Sequence, residues 1–359
     1  MIRWREGEVR EVTASTGGAT TVVVATADGE VAALAYDALV GAPQVGDRVL
    51  LNTTALELGL GTGGFALVVA VPERLPEDKP DNGHVVKARY TPLQTTVLAV
   101  DEQGSAHHDV LRDADDIGGM PVVVADLHSA LPAVLAGLRA ASPEARAVYV
   151  MSDGGALPLW FSRTLPALRE AGWLEATVTV GQAYGGDVEA VTLHTGLLAA
   201  RHVLDAEVAI VTQGPGNLGT GTRWGFSGVA TGEAVNAVNV LGGRAVAALR
   251  VSEVDERQRH RGVSHHTLTA LGRVALTPAD VVVPMLGGDF GAHVAHACAA
   301  LAPRHRLVPV AVEGLLEALR AAPVRLSSMG RGLDDDPAYF LAAAAAGRHA
   351  AGLLRSGQL

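Results

Sequence analysis

Cysteine occurs once in the 359 residues, at Cys298, which excludes an internal disulfide and a zinc cage built from cysteines. It lies in "HVAHACAALA", an apolar helical pattern without an activating neighbour, and reads as core filler rather than a nucleophile. Lysine is nearly as scarce. Only Lys79 and Lys87 are present, so 26 of the 28 basic residues are arginine, and arginine as such marks no binding site. No stretch reaches the roughly 18 uninterrupted apolar residues of a membrane span. The nearest, "YFLAAAAAGRHAAGLL", is broken by Arg348 and His349. The start, "MIRWREGEVREVTA", has charge where a signal peptide needs an apolar centre, so the expected location is the cytoplasm. Two catalytic signatures are also missing. No lysine followed by Ser or Thr closes the main glycine loop, as a nucleotide P-loop requires, and no G-x-S-x-G elbow occurs.

What is present is a chain that is 48% hydrophobic and 18% charged, able to bury a sizeable core in two domains or one large one. The net charge of -10 is shared by both halves and argues against non-specific nucleic-acid binding. The first part reads as short strands divided by turns: "GEVREVTA", "TTVVVATA", "EVAALAY", "DRVLLNTTA" and "FALVVAV". About five strands in that length predict a small closed or half-closed β-barrel over residues 1–82, ending in the proline-rich, charged "PERLPEDKPDNG". From residue 83 to 359, after a further β-like stretch, apolar runs alternate with helix-length segments. Strands are expected near Val122–Ala125, Ala147–Met151, Ala176–Val180, Val208–Thr212, Ala245–Val251, Val281–Pro284 and Leu307–Val310. Helical patterns between them include "LPAVLAGLRAA", "LPLWFSRTLPALREAG", "DVEAVTLHTGLLAARHVL" and "AHVAHACAALA", with a last helix capped by Asp336. The α/β class follows: a small β-barrel, then a Rossmann-like, mainly parallel, doubly wound α/β domain.

Ligands of such sheets sit beyond the carboxyl ends of the strands, which directs attention to the loops there. "TQGPGNLGTGTRWGFSG", Thr212 to Gly228, carries a literal G-x-G-x-x-G at Gly214, Gly216 and Gly219 directly after a strand. Pro215, the further glycines at Gly221, Gly225 and Gly228, and an acid that arrives only at Glu253 all count against a dinucleotide fingerprint, which expects that acid after about 20 residues. Two readings stay open: an anion-binding backbone cradle assisted by Thr220, Thr222 and Arg223, or an ordered loop packing on its own sheet. The second constellation is "ERQRHRGVSHHTLTALG", which crowds Arg257, Arg259, His260, Arg261, His265 and His266 together. An anionic ligand or the nearby Glu253, Asp255 and Glu256 would relieve that charge, and Ser264 is an N-cap candidate for the following helix. No metal site is expected. His265 and His266 are adjacent, and neighbours on a helix diverge by roughly 100 degrees; His293 and His296 belong to an apolar helix. Asp126, His128 and Asp153, at strand ends, are acid/base candidates together with His265. In "SSMGRGLDDDP", Arg331 and Asp334 read as spare polar groups.

The stretches "LLNTTALELGLGTGG", "KARYTPLQ", "LHSALP", "MSDGGALP", "TQGPGNLGTGTRWGFSG", "RHRGVSHHTLTALG" and "SMGRGLDDDP" give the chain a further signal. Through them it resembles, over nearly its whole length, an uncharacterised bacterial family described only as a domain of unknown function, and that resemblance implies no reaction. The leading expectation is an enzyme binding a small anionic metabolite, with Arg261, His265, His266 and Arg223 on the anion and the backbone from Gly214 to Gly221 as cradle. The competing expectation is a non-catalytic ligand-sensing or protein-interaction module. Neither nucleic acid nor membrane is an expected partner, a homo-oligomer stays open, and the sequence assigns no cofactor.

Overall fold

The computed structural model describes residues 1–78 and 83–356; the expected domain end at residue 82 and Lys79 lie outside the described residues. Two compact units result, one comprising Met1–Val97 with Trp160–Pro166 and the other Leu98–Leu159 with the chain from Ala167 onward.

In the first unit, β1 (Trp4–Thr16), β2 (Ala19–Thr26), β3 (Gly29–Tyr36), β4 (Arg48–Asn52) and β5 (Ala66–Ala70) close into a barrel in the order β1-β2-β3-β5-β4. Alternation decides its inside: Val22 and Val24, Ala33 and Ala35, Val49 and Leu51, Ala66 and Val68 are all buried, two residues apart on each strand. β1 breaks register twice, between Val9 and Glu11 and between Val12 and Ala14, and such bulges supply the coiling that closure needs. A short hairpin of β6 (Val85–Lys87) and β7 (Thr95–Val97) follows.

The second unit contains β8 (Pro121–Val124), β9 (Ala147–Ser152), β10 (Ala176–Thr179), β11 (Val188–Glu189), β12 (Val208–Gln213), β13 (Arg244–Ala248), the small pair β14 (Val251–Ser252) and β15 (Gly262–Val263), then β16 (Asp280–Met285) and β17 (Arg306–Ala311). Eight of these form one sheet in the order β11-β10-β9-β12-β8-β13-β16-β17, every neighbouring pair parallel. Its central strands β8, β9 and β12 are buried on both faces, as helices covering both sides demand. The connection from β8 to β9 runs toward one edge and those from β12 to β13 and from β16 to β17 toward the other. Right-handed crossovers therefore put helix Leu131–Ala141 on one face and helices Ala230–Val240 and Gly288–Cys298 on the opposite one.

The alanine-rich last helix, Pro337–Ser356, packs on Leu131–Ala141. Their backbones all but touch: a Cβ on Gly137 would stand 1.8 Å from the Ala344 carbonyl oxygen, and one on Gly347 1.9 Å from that of Val134. Among the described residues no helix is long and apolar enough to cross a membrane. Two expected helices are shorter than their patterns. Within Leu157–Gly172 only Leu165–Glu170 is α-helical, because Pro158 and Pro166 tolerate nothing but a helix start. "DVEAVTLHTGLLAARHVL" spends Val188–Glu189 on an edge strand, and its helix begins at Leu193 after the Thr192 cap.

Candidate functional site

β12 lies between β9 and β8, yet its chain continues to the helix face opposite the one that follows β8. Loops that part in this way leave a crevice beyond the strand ends. A cavity of about 300 Å³ occupies it, and its polar lining includes Asp126, Ser152, Asp153, His194, Gln213 and Glu233. Gln213 is buried: its Nε2 donates to the Asp126 carbonyl oxygen at 2.7 Å and to Asn217 Oδ1 at 3.0 Å. Its Oε1 is buried without a hydrogen-bond partner among the described residues. Asp153 is exposed and anchored, its carboxylate accepting from the Gln182 backbone N–H at 2.8 Å.

Asp126 also belongs to a second group. Its Oδ2 lies 3.4 Å from Arg250 Nη1 and 3.7 Å from His266 Nδ1, and all three residues are buried. Burial alone would raise the Asp126 carboxyl, but Arg250 and His266 outweigh it and hold the group below the usual carboxylate range. His266 stacks on Phe226 of the glycine-rich loop, ring centroids 3.8 Å apart and planes 5° from parallel. Ser264 organises the histidines. As the N-cap of helix His265–Thr269 its Oγ accepts from the His266 backbone N–H at 3.2 Å, and it lies 2.8 Å from His260 Nδ1. Burial, reinforced by Arg250 and Arg257, pushes His260 down to about 3. His265 is lowered by burial, then by His266 and Arg259, and its Nε2 is buried without a hydrogen-bond partner among the described residues.

Asp255 and Asp336 hold this segment in place. Asp255 accepts from the backbone, Nε and Nη2 of Arg257, at 3.0, 2.9 and 2.8 Å, and from Arg331 Nη2 at 3.1 Å; these cations keep its carboxyl well below the usual range. Asp336 accepts from Ser252 Oγ at 2.5 Å, the Glu253 N–H at 3.2 Å and Arg331 Nε at 3.2 Å. Arg331 is therefore not a spare group: it bridges two buried aspartates. Asp334 pairs with Arg320 on the surface at 3.2 Å.

The two loops singled out from sequence meet here. A Cβ on Gly228 would stand 3.0 Å from Asp126 Cβ, one on Gly219 4.0 Å from His266 Cε1, and one on Gly221 3.8 Å from the Arg259 guanidinium. Gly214 approaches the Ala156 carbonyl so closely that a Cβ would come within 2.4 Å of it. Gly216 and Gly221 adopt φ of 93° and 79°, which L side chains rarely adopt. Thr220 and Thr222 bond each other at 3.0 Å, and Thr222 Oγ1 accepts from the Gly225 N–H at 3.1 Å, so their hydroxyls close the loop on itself. Arg223 and Arg261 are exposed, and neither guanidinium has a hydrogen-bond or ion-pair partner among the described residues. His128 is engaged elsewhere: its Nδ1 lies 2.9 Å from Tyr149 Oη, which reaches Thr212 Oγ1 at 2.9 Å, and burial pushes the imidazole down to about 4.

Arg250 and Gln213 were not among the expected site residues. Arg250 interrupts the apolar "AVAALRV", and a cation there must be paired once buried, which was the available signal. The expected divergence of His265 and His266 does not hold for their rings, whose centroids are 4.5 Å apart. The 100-degree rule governs Cβ directions, and imidazoles on the first helical turn can swing back toward each other.

A family model for proteins of unknown function, DUF3866, matches residues 32–347. The chain belongs to the DUF3866 family. The DUF3866 match contains every residue of the site, from Asp126 to Asp336. No curated protein and no solved structure matches the chain.

Proposed function

We propose that this protein is an enzyme that binds a small anionic metabolite, bearing phosphate or carboxylate, beyond the C-terminal edge of a doubly wound, Rossmann-like sheet. The observation that carries the reading is the double membership of Asp126, which lines the cavity and also meets Arg250 and His266. Binding space and acid/base groups thus share one atom group. The anionic end is assigned to an arginine rim outside the cavity lining. Arg223, Arg259 and Arg261 belong to the two loops and are exposed without a hydrogen-bond or ion-pair partner among the described residues, and Arg259 lies against Gly221, whereas Arg257 is taken by Asp255. The cavity lining is acidic through Asp126, Asp153 and Glu233, with His194 beside them, so it suits the part of the metabolite that donates hydrogen bonds. Asp126, ionised beside Arg250, is the general base of this reading and Asp153 the second carboxylate.

A thermal-shift screen against sugar phosphates, nucleotides and dicarboxylates tests it. A ligand at about 100 times its dissociation constant adds about 2.7 kcal/mol of stability. For an anionic hit, Arg259→Ala should remove most of the shift, while Asp126→Asn should keep it and lower turnover about 100-fold or more. A full shift in Arg259→Ala would take the anion away from this rim. Hits bound without any turnover by the wild-type chain would replace the enzyme with a ligand-sensing module.

A further inference from the structure

We propose that His260, His265 and His266 form a site for one divalent transition-metal ion of the kind that imidazole nitrogen favours, with Zn²⁺ and Co²⁺ as its probes. The proposal stands on the geometry of the three rings and does not depend on the anionic metabolite.

One ring nitrogen of each histidine lies within 4.8 Å of the other two. Ring centroids are 5.0 Å apart for His260 and His265, 4.8 Å for His260 and His266, and 4.5 Å for His265 and His266. The planes are fanned at 49°, 89° and 64°, not stacked, as three rings converging on a point require. Nitrogens bound at about 2.0–2.1 Å to a tetrahedral ion stand roughly 3.3 Å apart, so the widest pair must close by about 1.5 Å, a movement of side-chain torsions.

Each ring has a role set by its neighbours. Ser264 Oγ occupies Nδ1 of His260, which leaves Nε2 for the ion and fixes the tautomer as outer partners of metal-bound imidazoles do. His265 Nε2 is buried without a hydrogen-bond partner among the described residues, a cost that coordination would remove. His266 Nδ1 faces Arg250 Nη1 at 3.2 Å and Asp126 Oδ2 at 3.7 Å. A guanidinium only donates, so without metal it meets the Nδ1 lone pair. Coordination at Nε2 would leave the ring proton on Nδ1: the Arg250 contact to Nδ1 is given up, Arg250 keeps its pairing with Asp126, and Nδ1–H donates a hydrogen bond to the Asp126 carboxylate. Metal binds neutral imidazole, and Arg250 and Arg257 stand near this cluster. Those arginines oppose a cation; Asp126 and Asp255 offset them, and an anion at the position left open by three protein ligands offsets them further.

The test is Co²⁺ titration of the full chain, free of purification tags and stripped with EDTA. The expected result is one equivalent bound with visible absorption bands of a low-coordinate nitrogen site, displaced by Zn²⁺. His265→Ala should weaken binding at least tenfold at unchanged circular dichroism, Asp126→Asn about 10- to 100-fold, and His296→Ala, exposed on another helix, not at all. X-ray absorption of the Zn²⁺-loaded wild-type chain should show three imidazole nitrogens at about 2.0–2.1 Å, a readout that survives even where a variant does not fold. Absence of stoichiometric Co²⁺ binding, His265→Ala binding as tightly as wild type, or fewer than three imidazoles in the absorption spectrum overturns the proposal. No metabolite is present in these measurements, so failure of the anion reading leaves their outcome unchanged.

Discussion

At the scale of single residues, the fate of Arg250 shows how a buried charge is made tolerable. Its guanidinium reaches Asp126 across 124 positions of sequence, and both side chains are nearly out of solvent. Removing one member of such a pair leaves the other charged and unpaired, which costs about 3–5 kcal/mol. Arg250→Ala is therefore expected to lose that much in urea unfolding, and the double variant Arg250→Met/Asp126→Leu to recover a large part of it. Additive losses in the double variant would show that the two groups do not depend on each other. The sequence advertised the histidines and arginines of "RHRGVSHH" through their local density. It did not show Arg250 or Gln213 as site residues, because each sits at the end of a run whose pattern is that of a strand and whose partner is set only by the sheet order.

Among elements, the strands were the most legible, since every core strand of a parallel sheet is apolar on both faces and stands out from its surroundings. Helix lengths were less so: the pattern of Leu157–Gly172 ignored Pro158 and Pro166, and that of Asp187–Leu204 concealed an edge strand. The contact of helices Leu131–Ala141 and Pro337–Ser356 was invisible, although it explains why an apolar, alanine-rich segment is a core helix. Gly137 permits it. With the Ala344 carbonyl oxygen 1.8 Å from where a Cβ would stand, Gly137→Ala must push the helices apart, and a loss of about 1–3 kcal/mol or more is expected in chemical denaturation. Gly352→Ala, whose added Cβ would meet no atom within 4 Å among the described residues, is the control and should be neutral or slightly stabilising. Equal stabilities of the two variants would mean that the helix pair adjusts without cost.

For the molecule as a whole, acid stability is tied to the sheet and its last helix through Asp280. This carboxylate at the start of β16 accepts from Arg306 Nε at 2.7 Å and lies 2.7 Å from His349 Nε2. Burial by itself would raise the group, but His349 and Arg306 prevail and hold it well below the usual carboxylate range. A group depressed in the folded state stabilises fully above its unfolded pKa, about 3.9, and loses that contribution as pH falls through the folded value. The urea midpoint of the wild-type chain should accordingly fall more steeply below pH 4 than that of Asp280→Asn, with the two curves converging in strong acid. Parallel curves would assign the acid sensitivity to other carboxylates.

Composition and periodicity alone determined that this chain makes a small barrel followed by a parallel α/β sheet, because burial period and turn chemistry are local properties of the sequence. They also determined where to look, since ligand sites of such sheets lie past the strand ends. Tertiary structure decided what stands there. "TQGPGNLGTGTRWGFSG" is the wall of a site: Phe226 carries His266, and Gly228 makes room for Asp126. The strand order that sets β12 between β9 and β8 opens the cavity and brings Asp126 to Arg250 and His266. Pairings across more than a hundred residues depend on that order, and no local pattern encodes it.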